Sequence, residues 1–151
     1  MHPNQNKPLW VIGHKLTSIH TTGEYALADI QLTPSLPGPP PHHHAEADEL
    51  YYVLEGRVEF LRDRGWHCVE QSGRFHVPKG TLHSFRGVDD EPARFLSIHD
   101  PGMPMDTLFL DHGTPVEEAN SFDRSVSEAA IAQLTAAAPE HDMIIQTPEP
   151  A

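Results

Sequence analysis

The chain of 151 residues has a single cysteine, Cys68, so no internal disulfide can form and a reducing compartment suits it. Basic residues are scarce: ten Lys and Arg stand against 22 Asp and Glu, a formal charge of −12 with histidines neutral. Such a field repels phosphate backbones and anionic membrane surfaces, which argues against nucleic-acid and membrane partners. No apolar run approaches a membrane span, and the opening "MHPNQNKPLW" lacks the apolar core of a signal peptide. Nothing repeats at a fixed period, so a tandem array is not expected. The expectation is a soluble, cytoplasmic protein of one domain, long enough to bury a proper core.

Two residue types are abundant. Fifteen prolines cluster at Pro37 to Pro41 and near the C-terminus, which predicts rigid turns and a loose tail over "QTPEPA". Twelve histidines are many for this length. Histidine titrates near neutrality and is the commonest metal ligand, so spacing decides what the count means.

From Trp10 to about Asp100 the pattern is strand, turn, strand. "HKLTSIHTT" and "EYALADIQLTP" flank a hairpin turn at Thr22-Gly23, and "ELYYVLEGRVEFLRD" turns at Glu55-Gly56. Short strands with Gly- and Pro-bearing turns at this density predict an antiparallel sandwich or barrel. Within Glu49 to Leu54, alternation puts Glu49, Tyr51 and Val53 on one face and Leu50, Tyr52 and Leu54 on the other. Both faces are mostly apolar, so both call for cover.

After Asp100 the texture changes. Residues 1–9 read as a lead, 10–100 as the barrel and 101–151 as an extension with one or two helices. "MDTLFLDHG" predicts a short helix closed by Gly113. "SFDRSVSEAAIAQLTAAAPEH" predicts another, with Ser125 and Glu128 as a capping box and Pro139 as its end. This arm is expected on the outside of the barrel, against the Leu50/Tyr52/Leu54 face.

The chemistry concentrates in "PPPHHHAEADELYYVLEG" and "GRFHVPKGTLHSF". His42 and His44 are two apart and share a side of an extended chain; His43 points away. If "HAEAD" turns, Glu49 returns beside the two imidazoles, with Glu46 and Asp48 nearer solvent. Pro78 and Gly80 make a tight turn, and His83 opens the next strand with Phe85 on its face. On its own, a triple histidine in a proline-rich loop reads as solvated. His42, His44, Glu49 and Gly56, followed by Pro78, Gly80 and His83, resemble the two signature motifs of the cupin superfamily. Three glycine or asparagine positions depart: Gly38 lies close to the first His, Gly73 is shifted by one residue, and Gly87 stands where Asn often closes the second motif. They bear on turns, and all four ligand-type residues are present. The resemblance implies a double-stranded β-helix, jelly-roll-like, all-β, with a metal held by His42, His44, Glu49 and His83.

Neutral imidazole and carboxylate suit a divalent first-row ion, whether iron, manganese, nickel, cobalt, copper or zinc. Four protein donors leave positions open, as in catalytic sites. Tyr51 and Phe85 read as core residues that can also wall a pocket. His76 and His99 lie on strands, each a surface or core histidine or a second acid or base. Cys68 reads as a small apolar filler, Asp29 as part of an exposed strand face, and both tryptophans as packing. Three functions follow. The first is a quercetinase-like dioxygenase for a small enolic, diketone or phenolic substrate, with Glu49 also able to take the substrate's proton. The second is a metal-dependent isomerase or lyase. The third is a non-catalytic barrel that binds a metal or small ligand. Apolar outer sheet faces predict a homodimer.

Overall fold

The structure, a computed structural model, describes residues 1–146; the tail expected beyond Gln146 lies outside them. Ten strands come first: β1 (Pro8–Val11), β2 (His14–Ile19), β3 (Ala26–Leu32), β4 (His42–His43), β5 (Asp48–Glu55), β6 (Val58–Arg62), β7 (Gly65–Val69), β8 (Arg74–Val77), β9 (His83–Gly87) and β10 (Ala93–Asp100). The arm follows as α1 (Met103–His112), β11 (Thr114–Pro115), α2 (Ser121–Ser125), α3 (Glu128–Ala137), a 3-10 turn (Ala138–His141) and β12 (Ile144–Ile145). Every strand pairing is antiparallel. One sheet runs β11-β1-β2-β3-β10-β5-β8 and the other β12-β4-β9-β6-β7. The all-β class read from the sequence holds.

Alternation builds the core. Tyr51 and Val53 on β5, Phe75 and Val77 on β8, and Phe95 on β10 point inward and meet Val58 and Phe60 of the opposite sheet. Phe60 stacks on Phe75 with centroids 5.1 Å apart and on Tyr51 at 4.6 Å. Each large side chain so buried contributes roughly 1.5–3 kcal/mol of transfer free energy. The Glu55-Gly56 turn forms as expected, with Gly56 at φ +72°, a backbone state that disfavours side-chain-bearing residues.

The arm differs from expectation. It does not cover Leu50, Tyr52 and Leu54, which stay half-buried on the outer face of β5. Instead α1 packs near β1, β2 and β3, and β12 joins the edge of β4. The cause is a second small core, where Met105 and Leu108 of α1 meet Ala138 and Met143, with Leu134 of α3 packed on them. The single long helix expected there is broken. Ser125 lies inside α2, and the side chain of Ser127 caps α3 by accepting the Ala130 N–H. Gly113 closes α1 in extended backbone, and a Cβ there would press on Phe109 and Leu9; close approach, not left-handed freedom, explains it. Cys68 and Trp66 are exposed rather than packed, because β7 is an edge strand with little over it. Trp66 lies under the Arg86 guanidinium at 3.8 Å. Asp29 sits half-buried on β3 in an ion pair with Arg94.

Candidate metal centre

Three consecutive prolines carry the chain into the site. Proline has no N–H, so only their carbonyls need partners. Pro39 accepts the Ser84 hydroxyl at 2.6 Å, Pro40 accepts His42 Nδ1–H at 2.9 Å, and Pro41 accepts the Gln146 N–H at 2.9 Å. The strand that results, β4, lies beside β9 with His42 opposite His83. The turn of the second motif ties back to the first: Gly80 N–H donates to the His44 carbonyl at 2.7 Å.

His42, His44 and His83 are all buried, and their available ligand atoms lie within 4.8 Å of one another. Each holds a backbone carbonyl with Nδ1: Pro40 for His42 at 2.9 Å, Asp142 for His44 at 2.7 Å and Thr81 for His83 at 2.9 Å. A carbonyl only accepts, so each Nδ1 carries a proton and Nε2 is the nitrogen an ion would take, in place of the proton with which His83 Nε2 meets Glu49 Oε1 in the metal-free chain.

Glu49 arrives from β5, directly opposite His99 of β10. It is 3% exposed, yet it is surrounded by donors. Oε1 accepts the Tyr51 hydroxyl at 2.7 Å and lies 2.9 Å from His83 Nε2 and 3.5 Å from His44 Nε2. Oε2 accepts the Ser97 hydroxyl at 2.7 Å and lies 2.7 Å from His99 Nε2. Neither contact is a formed hydrogen bond, so among the described residues His44 Nε2 and His99 Nε2 are buried nitrogens without a hydrogen-bond partner. Such orphaned atoms are rare in folded proteins. Together with three neutral-capable imidazoles and a carboxylate, they fit a divalent first-row ion. His44, Glu49 and His99 form a second close group of donors that shares His44 with the first.

Burial pushes the Glu49 carboxyl up, but the neighbouring His99 charge and the His44, His83 and His99 imidazoles that face it outweigh burial and hold the group well below the usual range. Burial, with His83 and His44 adding repulsion, lowers His42 to about 3. Burial also opposes protonation of His44, but the Glu49 carboxylate and the Asp142 carbonyl prevail and raise it. Tyr51 is raised well above its ordinary value by burial and by the Glu49 charge, so its hydroxyl stays a donor.

His42, His44 and Glu49 line a cavity with about 880 Å³ of empty space, part of it open to solvent; His83, fully buried, is not part of its lining. Tyr51, Phe85 and His99 line it. His76 does not: on β8 it alternates outward, exposed, 4.0 Å from the Asp48 carboxylate. His43 and Glu46 also point away from the donors, half-buried and exposed respectively. Met105, Leu108, Leu134, Met143 and Ile145 of the arm supply an apolar wall. Among the described residues lining the cavity there is no Lys or Arg.

Three participants were not singled out from sequence. Ser97 shares the inward face of β10 with His99, two residues on, so alternation could have found it. His14 is buried beside the cavity, its Nε2–H donating to the Pro37 carbonyl at 2.8 Å and its Nδ1 accepting the Thr33 N–H at 3.1 Å. It anchors the proline loop, and no motif marks it. Asp142 reaches His44 across 98 positions, with no local signal.

Residues 29–99 match the family described as Cupin domain. A polyketide synthase protein, CurC, from Streptomyces cyaneus is 28% identical over 104 residues, covering 69% of this chain and 65% of that protein. A probable germin-like protein, subfamily 2 member 5, from Arabidopsis thaliana is 30% identical over 95 residues, covering 60% of this chain and 44% of that one. The chain thus spans less than two thirds of both relatives. Among solved structures, the cupin domain of Schizosaccharomyces pombe Cnp3 superposes with TM-score 0.53 at 20% identity, covering 60% of this chain and 61% of that one. A cupin-superfamily sugar phosphate isomerase from Silicibacter pomeroyi does so with TM-score 0.54 at 25% identity, covering 58% and 59%.

Proposed function

We propose that the chain, residues 29–99 of which match the Cupin domain family, is a metal-dependent oxidoreductase, a dioxygenase, acting on a small enolic, diketone or phenolic compound. One observation carries this reading: three imidazoles and a carboxylate converge beside an apolar cavity, which His42, His44 and Glu49 line and which no Lys or Arg lines among the described residues. A sugar phosphate or a dicarboxylate would bring anionic groups with no cationic side chain to meet them. An uncharged substrate with one ionisable oxygen and a flat apolar body fits better. The similarity to CurC, named as a polyketide synthase, supports the same substrate class.

His42, His44 and His83 would hold the ion through Nε2, and Glu49 through Oε1. A bound divalent metal would supply Lewis acidity toward an enolate or phenolate oxygen and, where redox-active, electrons for dioxygen. Tyr51 and Ser97 keep Glu49 aimed and deprotonated, so the carboxylate can accept the substrate's hydroxyl proton. Phe85 and Tyr51 give a planar ring faces to rest on, and the arm's apolar residues exclude water above it. A second copy would cover the half-buried Leu50, Tyr52 and Leu54 face, and light scattering at twice the chain mass would support that pairing.

The test is elemental analysis of protein purified without added metal, then oxygen uptake by iron-, manganese-, nickel-, cobalt-, copper- and zinc-loaded protein against flavonols, catechols and diketones. Uptake with at least one metal is expected; none with any would remove the dioxygenase reading. A redox-neutral isomerase or lyase is the second reading, favoured by His99, whose Nε2 reaches the cavity without a hydrogen-bond partner. Turnover without oxygen would select it.

A further inference from the structure

The arm returns to the loop that carries two of the histidines and partners it residue by residue. Gln146 donates to the Pro41 carbonyl, Ile145 pairs with His42, and Ile144 pairs with His43. Asp142 then takes the next three positions alone. Its carbonyl accepts His44 Nδ1–H at 2.7 Å, its Oδ1 accepts the Ala45 N–H at 2.8 Å, and its Oδ2 accepts the Glu46 N–H at 3.0 Å. Residues 41 to 46 therefore all have a partner within 142–146. Asp142 makes these contacts from left-handed backbone, φ +59°, a conformation that Asp, Asn and Gly tolerate better than other residues.

The three contacts have one effect. Two charge-assisted hydrogen bonds pin the backbone just after His44. That fixes the Asp142 carbonyl where it sets the His44 tautomer and ring plane. His44 Nε2 is left buried, aimed at the other donors and without a hydrogen-bond partner. Ligand histidines held this way lose ten- to a hundred-fold in metal affinity, on the order seen for outer contacts generally, when the support is removed. We propose that Asp142 is a positioning residue of the metal centre, and that segment 142–146 is thereby a working part of the site rather than an appendage of the barrel. The inference rests on the metal reading above.

Cobalt(II) is the probe, titrated into the full chain, with affinity measured by chelator competition and geometry by the visible absorption of the bound ion. D142G keeps the left-handed backbone accessible and removes the carboxylate; D142N restores one of its two acceptors. D142G should bind about 10–100-fold more weakly with altered absorption bands, and D142N should fall between it and the parent. A purely structural role would lower thermal stability and leave the spectrum of the bound ion unchanged. Because coupling is reciprocal, cobalt should also slow amide exchange at Ala45, Glu46 and Gln146 in the unaltered chain, a result that does not depend on any variant folding. Equal affinity and equal spectra for D142G and the parent would overturn the proposal. So would protection that stops short of Gln146. A parent chain that takes up no cobalt would instead bring down the metal reading, and this inference with it.

Discussion

Removing single hydroxyls around Glu49 tests whether that carboxylate is held as described. Tyr51→Phe and Ser97→Ala each delete one hydrogen bond of 2.7 Å to a buried, charged acceptor, and neither side chain is more than 1% exposed. A hydrogen bond to a charged group contributes about 1.5–3 kcal/mol, and the cost rises when the partner is left unsatisfied. The two oxygens differ in what remains. Without Tyr51 the Oε1 atom still has His83 Nε2 at 2.9 Å in hydrogen-bonding geometry. Without Ser97 the Oε2 atom keeps only His99, which lies at 2.7 Å but forms no hydrogen bond with it. Ser97→Ala should therefore cost about 3 kcal/mol and Tyr51→Phe about 1.5 kcal/mol in metal-free protein. For a domain of this size the melting midpoint should fall by roughly 3–12 °C across the pair. Urea unfolding at neutral pH in the presence of a chelator reads this directly, provided the denaturant slope is unchanged. A Ser97→Ala variant as stable as the parent, or a Tyr51→Phe variant clearly worse than Ser97→Ala, would refute this description of how Glu49 is held.

Other expected outcomes are as direct. His83→Ala should lose more than about tenfold in metal affinity, while His43→Ala, on the opposite face of β4, should retain it; equal losses would mean the faces are assigned wrongly. The metal-free chain should lose stability as acid protonates the unfolded state. His42, lowered to about 3, contributes stability that is present above its unfolded value near 6.5 and is lost as pH falls through that window. Glu49, also lowered, acts in the same direction below its ordinary range, whereas the raised His44 acts oppositely, losing its contribution as pH rises. A chelated sample whose stability is flat from pH 7 to pH 4 would contradict the His42 assignment. Gly38→Ala should weaken both fold and site, because a Cβ there would overlap the Phe85 carbonyl oxygen at the head of the proline loop; unchanged melting would show that the loop relaxes freely.

The site has an economy that follows from its backbone. Three histidines use one nitrogen on a carbonyl and offer the other inward. The carbonyls come from a proline run, a turn before β9 and the arm, and that of the arm is pinned by the Asp142 carboxylate.

Much of this was legible in the sequence because it depends on local geometry. Alternation along Glu49 to Leu54 put Glu49, Tyr51 and Val53 on one face, the buried one, and the two-residue spacing of His42 and His44 put both on one side. The turn at Gly56 and the pairing of strands around it need only neighbouring residues. What the tertiary structure decided is what local rules leave degenerate. His76 and His99 each sit on an alternating strand, and alternation says which neighbours share a face but not which face is inside; only sheet order sends His99 to the cavity and His76 to solvent. Cys68 and Trp66 look like core residues until β7 is seen to be an edge. The arm's position rests on a small apolar cluster assembled from residues dozens of positions apart, and Asp142 meets His44 through a backbone carbonyl that every residue carries. A contact made by the main chain leaves no trace in side-chain identity, so it becomes visible only when the chain has folded.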